Sequence, residues 1–199
     1  MEQPRIFRYD TVDSTNTVCK NLAAQGAPSG TAVIARRQTA GRGRMGRSFQ
    51  SPAGLGRYGA VLLRSSPEDA PRIPALAATA VRRRCRRSAS PEGRGPYLSV
   101  LWRPEGTPED LLPLTPMAAV SAAMAIRRVT GAPVRIKWPN DLVLEGRKLA
   151  GILTEASLSG RGVDHVVIGI GVNLRQRPDD FSPEVARIAT SLEAQGYPA

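Results

Sequence analysis

Three stretches of this 199-residue chain carry residue types suited to holding anions. Gly41-Arg-Gly-Arg-Met-Gly-Arg47 spaces Arg42, Arg44 and Arg47 with glycines. Glycine lets a backbone approach a ligand closely, and guanidinium forks grip carboxylate or phosphate in two-pronged fashion. Lys137-Trp-Pro-Asn-Asp-Leu142 sets a cation and two polar side chains around a turn that proline stiffens. Lys148 follows within Gly146-Arg-Lys-Leu-Ala-Gly-Ile-Leu-Thr-Glu155, and Ile168-Gly-Ile-Gly-Val-Asn173 reads as a strand thinned by glycines. Each piece alone has an ordinary reading: a basic hairpin, a solvated lysine before a turn, a bulged strand. Gly41–Gly46 also fits the letters G-x-G-x-x-G, but Arg47-Ser-Phe-Gln-Ser-Pro52 is a poor helix opening and no βαβ unit follows. The dinucleotide reading, which needs a helix N-terminus under the pyrophosphate, is therefore rejected.

The elements that must position these groups follow from pattern. Asp13 or Ser14 caps a helix through TVCKNLAAQ that stops at Gly26. Thr31–Ala35 reads as a buried strand, and a long helix starts after Pro116 and stops at Gly131. Val134–Trp138, Leu142–Leu144, Lys148–Ala156 and Val163–Asn173 read as strands, and 184–195 as a final helix. Helices fall between strands joined by short turns, which predicts an α+β fold with helices on one face of the sheet.

Composition bounds the class. No run of 18 apolar residues is present, which excludes a spanning helix, and MEQPRIFRYD has no apolar signal core. Cys19 and Cys85, with the single His165, give neither a disulfide framework nor a zinc spacing. No Ser/His/Asp or Cys/His set is credible, and His165 reads as a structural residue beside a strand. A cytoplasmic enzyme or binding protein is expected. Lys+Arg 28 against Asp+Glu 17 gives +11, and eight arginines against two acids place +6 of that within 53–91. Arg82-Arg-Arg-Cys-Arg-Arg87 lacks the interleaved aromatics that stack bases, so a solvated segment is favoured over specific nucleic-acid binding.

One internal echo stands out. Ser51-Pro-Ala-Gly-Leu-Gly-Arg-Tyr58-Gly-Ala-Val-Leu-Leu-Arg64 resembles Ser90-Pro-Glu-Gly-Arg-Gly-Pro-Tyr97-Leu-Ser-Val-Leu-Trp-Arg103, at an offset of 97 − 58 = 39 positions. It reads as one strand written twice. The second copy leads into the long helix and is expected to hold the interior sheet position, with a basic insert at about 53–89 on the surface.

In this order the motifs resemble the catalytic domain of the biotin protein ligase (biotin–[acetyl-CoA-carboxylase] ligase) family. The resemblance rests on Ser14-Thr-Asn16, Gln38, Gly41–Arg47, Ser51-Pro52, Lys137–Leu142, Arg147–Leu153 and Ile168–Asn173, and covers roughly 8–52 and 90–196. It implies a mixed β-sheet flanked by helices, like class II aminoacyl-tRNA synthetases, that binds biotin and ATP with Mg²⁺ and forms biotinoyl-5′-AMP. The activated biotin would pass to a lysine of the biotin carboxyl carrier domain of a biotin-dependent carboxylase. The family would put Ser14, Thr15, Asn16 and Gln38 on biotin, with Gly41, Arg42, Gly43 and Arg44 closing over it and Gly169 and Gly171 in the pocket floor. Lys148 would meet the biotin carboxylate, while Arg47, Lys137, Asn140, Asp141 and Asn173 lie toward ATP. Catalytic roles would fall to Lys148, Arg44 and Lys137. No dedicated metal ligands are assigned, Mg²⁺ arriving with ATP. A monomer or weak homodimer with no membrane and no specific nucleic-acid partner is expected.

The sequence departs from the family at three places. Phe49 replaces a tryptophan, the 53–89 insert follows the arginine loop directly, and the family's C-terminal barrel and N-terminal DNA-binding domain are not expected within 1–199. Ligation impaired by these departures, a non-catalytic biotin-binding relic and a lipoate or octanoate transferase stay open beside the full activity.

Overall fold

The structure, a computed structural model, describes residues 5–41, 57–64, 95–104, 107–160 and 162–198. Chain order is β1 (Ile6–Val12), α1 (Thr15–Ala24), β2 (Ala32–Gln38), β3 (Arg57–Arg64), β4 (Pro96–Arg103) and α2 (Leu114–Thr130). Then come β5 (Arg135–Lys137), β6 (Asp141–Leu144), β7 (Arg147–Ser159), β8 (Gly162–Val172) and the short α3 (Pro183–Ala186). The strands form one eight-stranded sheet in the order β1-β2-β3-β4-β8-β7-β6-β5. It is mixed: β1/β2 and β3/β4 are parallel and the other neighbours antiparallel.

Alternation along the central strands sends neighbouring side chains to opposite faces. Val100, Trp102, Val166, Ile168, Ile170 and Val172 pack against Leu114, Ala118, Ala122 and Ile126 of α2. Leu101 and Val167, together with Val33, Ala60 and Leu62, pack against Cys19 and Ala23 of α1. Burying each such Val, Leu or Ile contributes about 1.5–3 kcal/mol. Helices thus cover both faces rather than the one face expected, because β4 and β8 are apolar on both sides and each face needs a cover.

Other expectations shift for identifiable reasons. Ser14 does cap α1: the Asn16 N–H donates to its Oγ at 3.2 Å. The long helix begins at Leu114, before Pro116, since a proline in the first turn gives up no intrahelical bond. It ends on Gly131 at φ 73, as expected of a left-handed stop. The expected helix over 184–195 splits, because after a turn at 187–188 Ala189 bridges to Lys148 of β7: the Lys148 N–H donates to Ile188 O at 2.7 Å and the Thr190 N–H to Lys148 O at 2.9 Å. The strand β1 carries no sequence signal, its side chains being largely exposed at the sheet edge.

The echo proves more consequential than expected. Both copies, not the second alone, occupy interior positions, so 57–64 is not a surface element. β3 and β4 lie parallel with Tyr58 opposite Tyr97 and Val61 opposite Val100, the register that the 39-residue offset dictates. The rest of the 53–89 insert lies outside the described residues. Gly95, just before β4, sits so close to β8 that a Cβ there would meet Val172 O at 2.4 Å and Gln176 Nε2 at 2.8 Å, an approach only glycine permits.

Candidate functional site

Directly opposed residues on neighbouring strands share a face. Registers chain Ala35, Tyr58, Tyr97, Gly171, Gly151 and Asp141 into one row across six strands. The Tyr58 and Tyr97 rings stack with centroids 4.9 Å apart. Beyond them the two glycines leave a shallow trough, bounded on its far side by charge. The Lys148 ammonium lies at the rim: its Nζ comes within 3.4 Å of where a Gly151 Cβ would stand and pairs with Asp141 Oδ1 at 2.7 Å. Irregular pairing between β6 and β7 at Leu142/Val143 accompanies this placement.

The turn motif explains why Asp141 is fixed. Asn140 Nδ2 donates to Asp141 Oδ1 and to Ile152 O, both at 3.2 Å, and the Ile152 N–H donates to Asn140 O at 2.8 Å. Asn140 therefore locks the turn to β7 while orienting the carboxylate. Lys137 sits opposite Asp141 on exposed β5, and Trp138, joined to Pro139 by a cis peptide bond, is 74% exposed. Asn173 is spent on architecture: its Nδ2 donates to Thr190 O at 3.0 Å, and its backbone ties β8 to Leu149 and Leu192. Gly169 backs onto Ser99, whose Oγ lies 3.4 Å from a would-be Cβ.

A second cluster forms where α1 begins. Gln38 Oε1 accepts from the Thr15 N–H at 2.8 Å and from Thr15 Oγ1 at 3.0 Å. Ser14 and Thr15 are buried, and Asn16 Oδ1 is buried without a hydrogen-bond partner among the described residues. A buried acceptor left unmatched is costly and suits a ligand N–H. Backbone bonds from Thr39 to Val12 and from Ala40 to Asp13 carry the chain past this cluster to buried Gly41. Arg42, Gly43, Arg44 and Arg47 lie outside the described residues.

The structure thus gathers Ser14, Thr15, Asn16 and Gln38 at one place and Asn140, Asp141 and Lys148 at another, with Gly169 and Gly171 on the sheet between. Sequence reasoning gave no role to Tyr58, Tyr97 or Gly151. The echo pointed at the tyrosines, and Gly151 stands three residues after Lys148, where a side chain would crowd the end of the lysine at 3.3–3.4 Å. Burial pushes the Tyr97 hydroxyl up to about 12, partly offset by its bond from Gln176 Nε2 at 2.9 Å. Burial likewise lifts the Cys19 thiol to about 12, an inert core group. His165 Nδ1 and Asp164 Oδ2 lie 2.6 Å apart at the far end of β8, and that contact holds the Asp164 carboxyl below its usual range.

The profile of the biotin/lipoate A/B protein ligase family matches residues 9–173, with both clusters inside the matched span. The chain belongs to that family. It is 35% identical over 187 residues to the bifunctional ligase/repressor BirA of Bacillus subtilis, covering 94% of this chain and 46% of the relative. It is 36% identical over 169 residues to a biotin–[acetyl-CoA-carboxylase] ligase of Paracoccus denitrificans, covering 84% and 53%. The chain spans about half the length of these curated relatives. Its fold superposes on the biotin protein ligase of Aquifex aeolicus solved in complex with biotin and ATP, with a TM-score of 0.58 and 27% identity over 98% of this chain and 62% of that one. Among the described residues no helix is long and apolar enough to cross a membrane.

Proposed function

We propose that this chain activates biotin with ATP and transfers it to a lysine of a biotin carboxyl carrier domain. In the first step a biotin carboxylate oxygen attacks the α-phosphorus of ATP. The bond to the β-phosphate oxygen breaks, giving biotinoyl-5′-AMP and pyrophosphate. In the second, a neutral lysine amine of the acceptor attacks the acyl carbon, AMP departs with the bonding electron pair, and the amine's proton goes to solvent.

Both reactants of the first step are anions, so the barrier is largely their mutual repulsion. An ammonium fixed beforehand lowers it more than one that must be oriented during reaction. The Lys148 amine is fixed in that way, by Asp141 Oδ1 at 2.7 Å over a trough that glycine keeps open. This observation carries the proposal. Asp141 offsets the charge of Lys148, and an arriving carboxylate or phosphate takes over part of its partner. The trough is bordered by the part-buried Tyr97 ring, backed by the fully buried Tyr58 stacked on it, and offers an aromatic edge to an apolar ring and chain.

At the other cluster, the unmatched acceptor Asn16 Oδ1 suits a ring N–H of a cyclic urea, and Gln38 positions Thr15 beside it. Ser14 and Thr15 shape that end. Arg42, Gly43 and Arg44 would close over biotin and the adenylate, and Arg47 and Lys137 would lie toward ATP. Asn173 would act by holding the β8 end in place. Among the described residues no three His, Cys, Asp or Glu side chains converge. A Mg²⁺ arriving with ATP would neutralise phosphate charge, with phosphate and water oxygens as its main ligands.

Biotin-dependent exchange of labelled pyrophosphate into ATP tests the first step. Exchange that requires biotin and is not supported by lipoate or octanoate is expected. Exchange supported by lipoate alone, or none at all, overturns the proposal.

A further inference from the structure

We infer that β3 is an interchangeable spacer strand: it occupies a sheet position that β4 alone can fill, and its presence holds the two halves of the ligand site one strand further apart than a single copy would. The inference rests on the ligase reading for the identity of those halves, but its structural part stands on register alone.

β3 takes its outer edge from β2, with Ala35 opposite Tyr58 and Ala32 opposite Val61. β4 takes its outer edge from β8, with Tyr97 opposite Gly171 and Val100 opposite Ile168. The copies themselves pair parallel, Tyr58 to Tyr97 and Val61 to Val100. Each equivalent position is therefore level across the sheet, and a single strand would meet β2 on one edge and β8 on the other without a slip in either register. The faces agree as well. Ala60 and Leu62, under α1, correspond to Ser99 and Leu101, while Val61 and Leu63 correspond to Val100 and Trp102 on the α2 side. Upstream, β3 receives the chain from β2; downstream, β4 delivers it to α2. Removing residues 57–95, which number 39, joins Ser51-Pro-Ala-Gly-Leu-Gly56 to Pro96-Tyr97 and keeps both connections at their present lengths.

Geometry gives the consequence. Gln38 ends β2 and Lys148 begins β7, four strand steps apart in the order β2-β3-β4-β8-β7. At the usual strand spacing that is roughly 19 Å, against roughly 14 Å with one copy. The Gln38 cluster and the Lys148 ammonium must grip opposite ends of one small ligand, so the extra strand weakens simultaneous contact. The stacked tyrosines are the visible sign, two rings standing in the row where one would reach from Ala35 to Gly171.

The test compares the full chain with the variant lacking 57–95, by calorimetry with biotin and by a disulfide. Ala32→Cys with Val100→Cys, in a Cys85→Ser background for the full chain, reports whether β4 lies next to β2. With β3 between them the two α-carbons are two strand steps apart, roughly 10 Å and beyond disulfide reach. Expected are a cooperatively folded deletion variant, a disulfide between positions 32 and 100 in it alone, and biotin affinity on the order of tenfold tighter than in the full chain. A deletion variant that cannot fold, or that folds without the bond, overturns the inference. Equal or weaker affinity in a folded, bonded variant overturns the spacer's effect on the site. Absence of biotin binding in both chains overturns the ligase reading instead, while the disulfide still decides the strand exchange.

Discussion

The two sides of the sheet are built differently. From β4 through β8 to β5 the strands pair antiparallel, joined by the hairpin turns of β5–β8, and cover α2 with Trp102, Leu142, Leu144, Leu149, Ile152 and Ile168, each fully buried or nearly so. On the β1–β3 side the strands include parallel pairs, and the core beneath α1 is small: Cys19, Ala23, Val33, Ala60, Leu62, Leu101 and Val167. The charged half of the candidate site, Lys148 with Asp141 and Asn140, stands on the first region. The polar half, Thr15 with Gln38 and Asn16, stands at the edge of the second. A group that must stabilise developing charge is best held on rigid framework, whereas a half that recognises a ring by hydrogen bonds needs less rigid support.

Removing one group from each half should therefore produce different defects. Lys148→Ala is expected to lower biotin-dependent pyrophosphate exchange by on the order of a hundredfold to a thousandfold. Its stability in urea should change by less than about 1 kcal/mol, because the ion pair it breaks is part-exposed, Lys148 at 43%. Gln38→Ala is expected to weaken biotin binding by about 1–2 kcal/mol while the rate at saturation falls far less. Equal losses of rate and affinity in both variants would erase the distinction.

The framework contrast is sharpened by truncating one residue from each core. Ile168→Ala, between α2 and β7, should cost near the top of the usual range, about 4–5 kcal/mol. Leu62→Ala, beneath α1, should fall nearer 2–3 kcal/mol because the smaller core around it can close in. Chemical denaturation of the two variants decides, and a larger loss at Leu62 would contradict the contrast.

The smallest effect is one of pH. Tyr97 and Cys19 both have their ordinary ionisation raised by burial to about 12. Over the window between their ordinary values and that figure, the unfolded chain releases these protons while the folded chain keeps them. Stability they help sustain is present below pH about 9 and declines as pH climbs from there toward about 12. Tyr97→Phe and Cys19→Ala together should flatten that decline in a urea midpoint against pH; an unchanged slope would count against it.

The same division explains what could be read in the sequence. The motifs of β5–β8 are local: a turn fixed by Pro139-Asn-Asp, a lysine three residues before Gly151, alternating glycines in β8. Their strands come out within three residues of the sequence reading. The far side depends on contacts that no short pattern encodes. β1 is an exposed edge without alternation, and Gln38 meets Thr15 across 23 positions. The double strand was visible as an echo, but that both copies would sit side by side depends on two outer edges of matching register, which only the assembled sheet supplies. Residues 188–190, read as helix, are instead tied to the backbone of Lys148 through Ile188, Ala189 and Thr190.

In the proposed reaction Lys148 and the Gln38 cluster act on one bound molecule. Native mass spectrometry of the full chain after mixing with biotin and Mg·ATP tests it most directly. A protein peak shifted by the mass of biotinoyl-AMP is expected, lost in Lys148→Ala and weakened in Gln38→Ala. No adduct in the full chain, or an adduct that forms equally without the Lys148 amine, would contradict it.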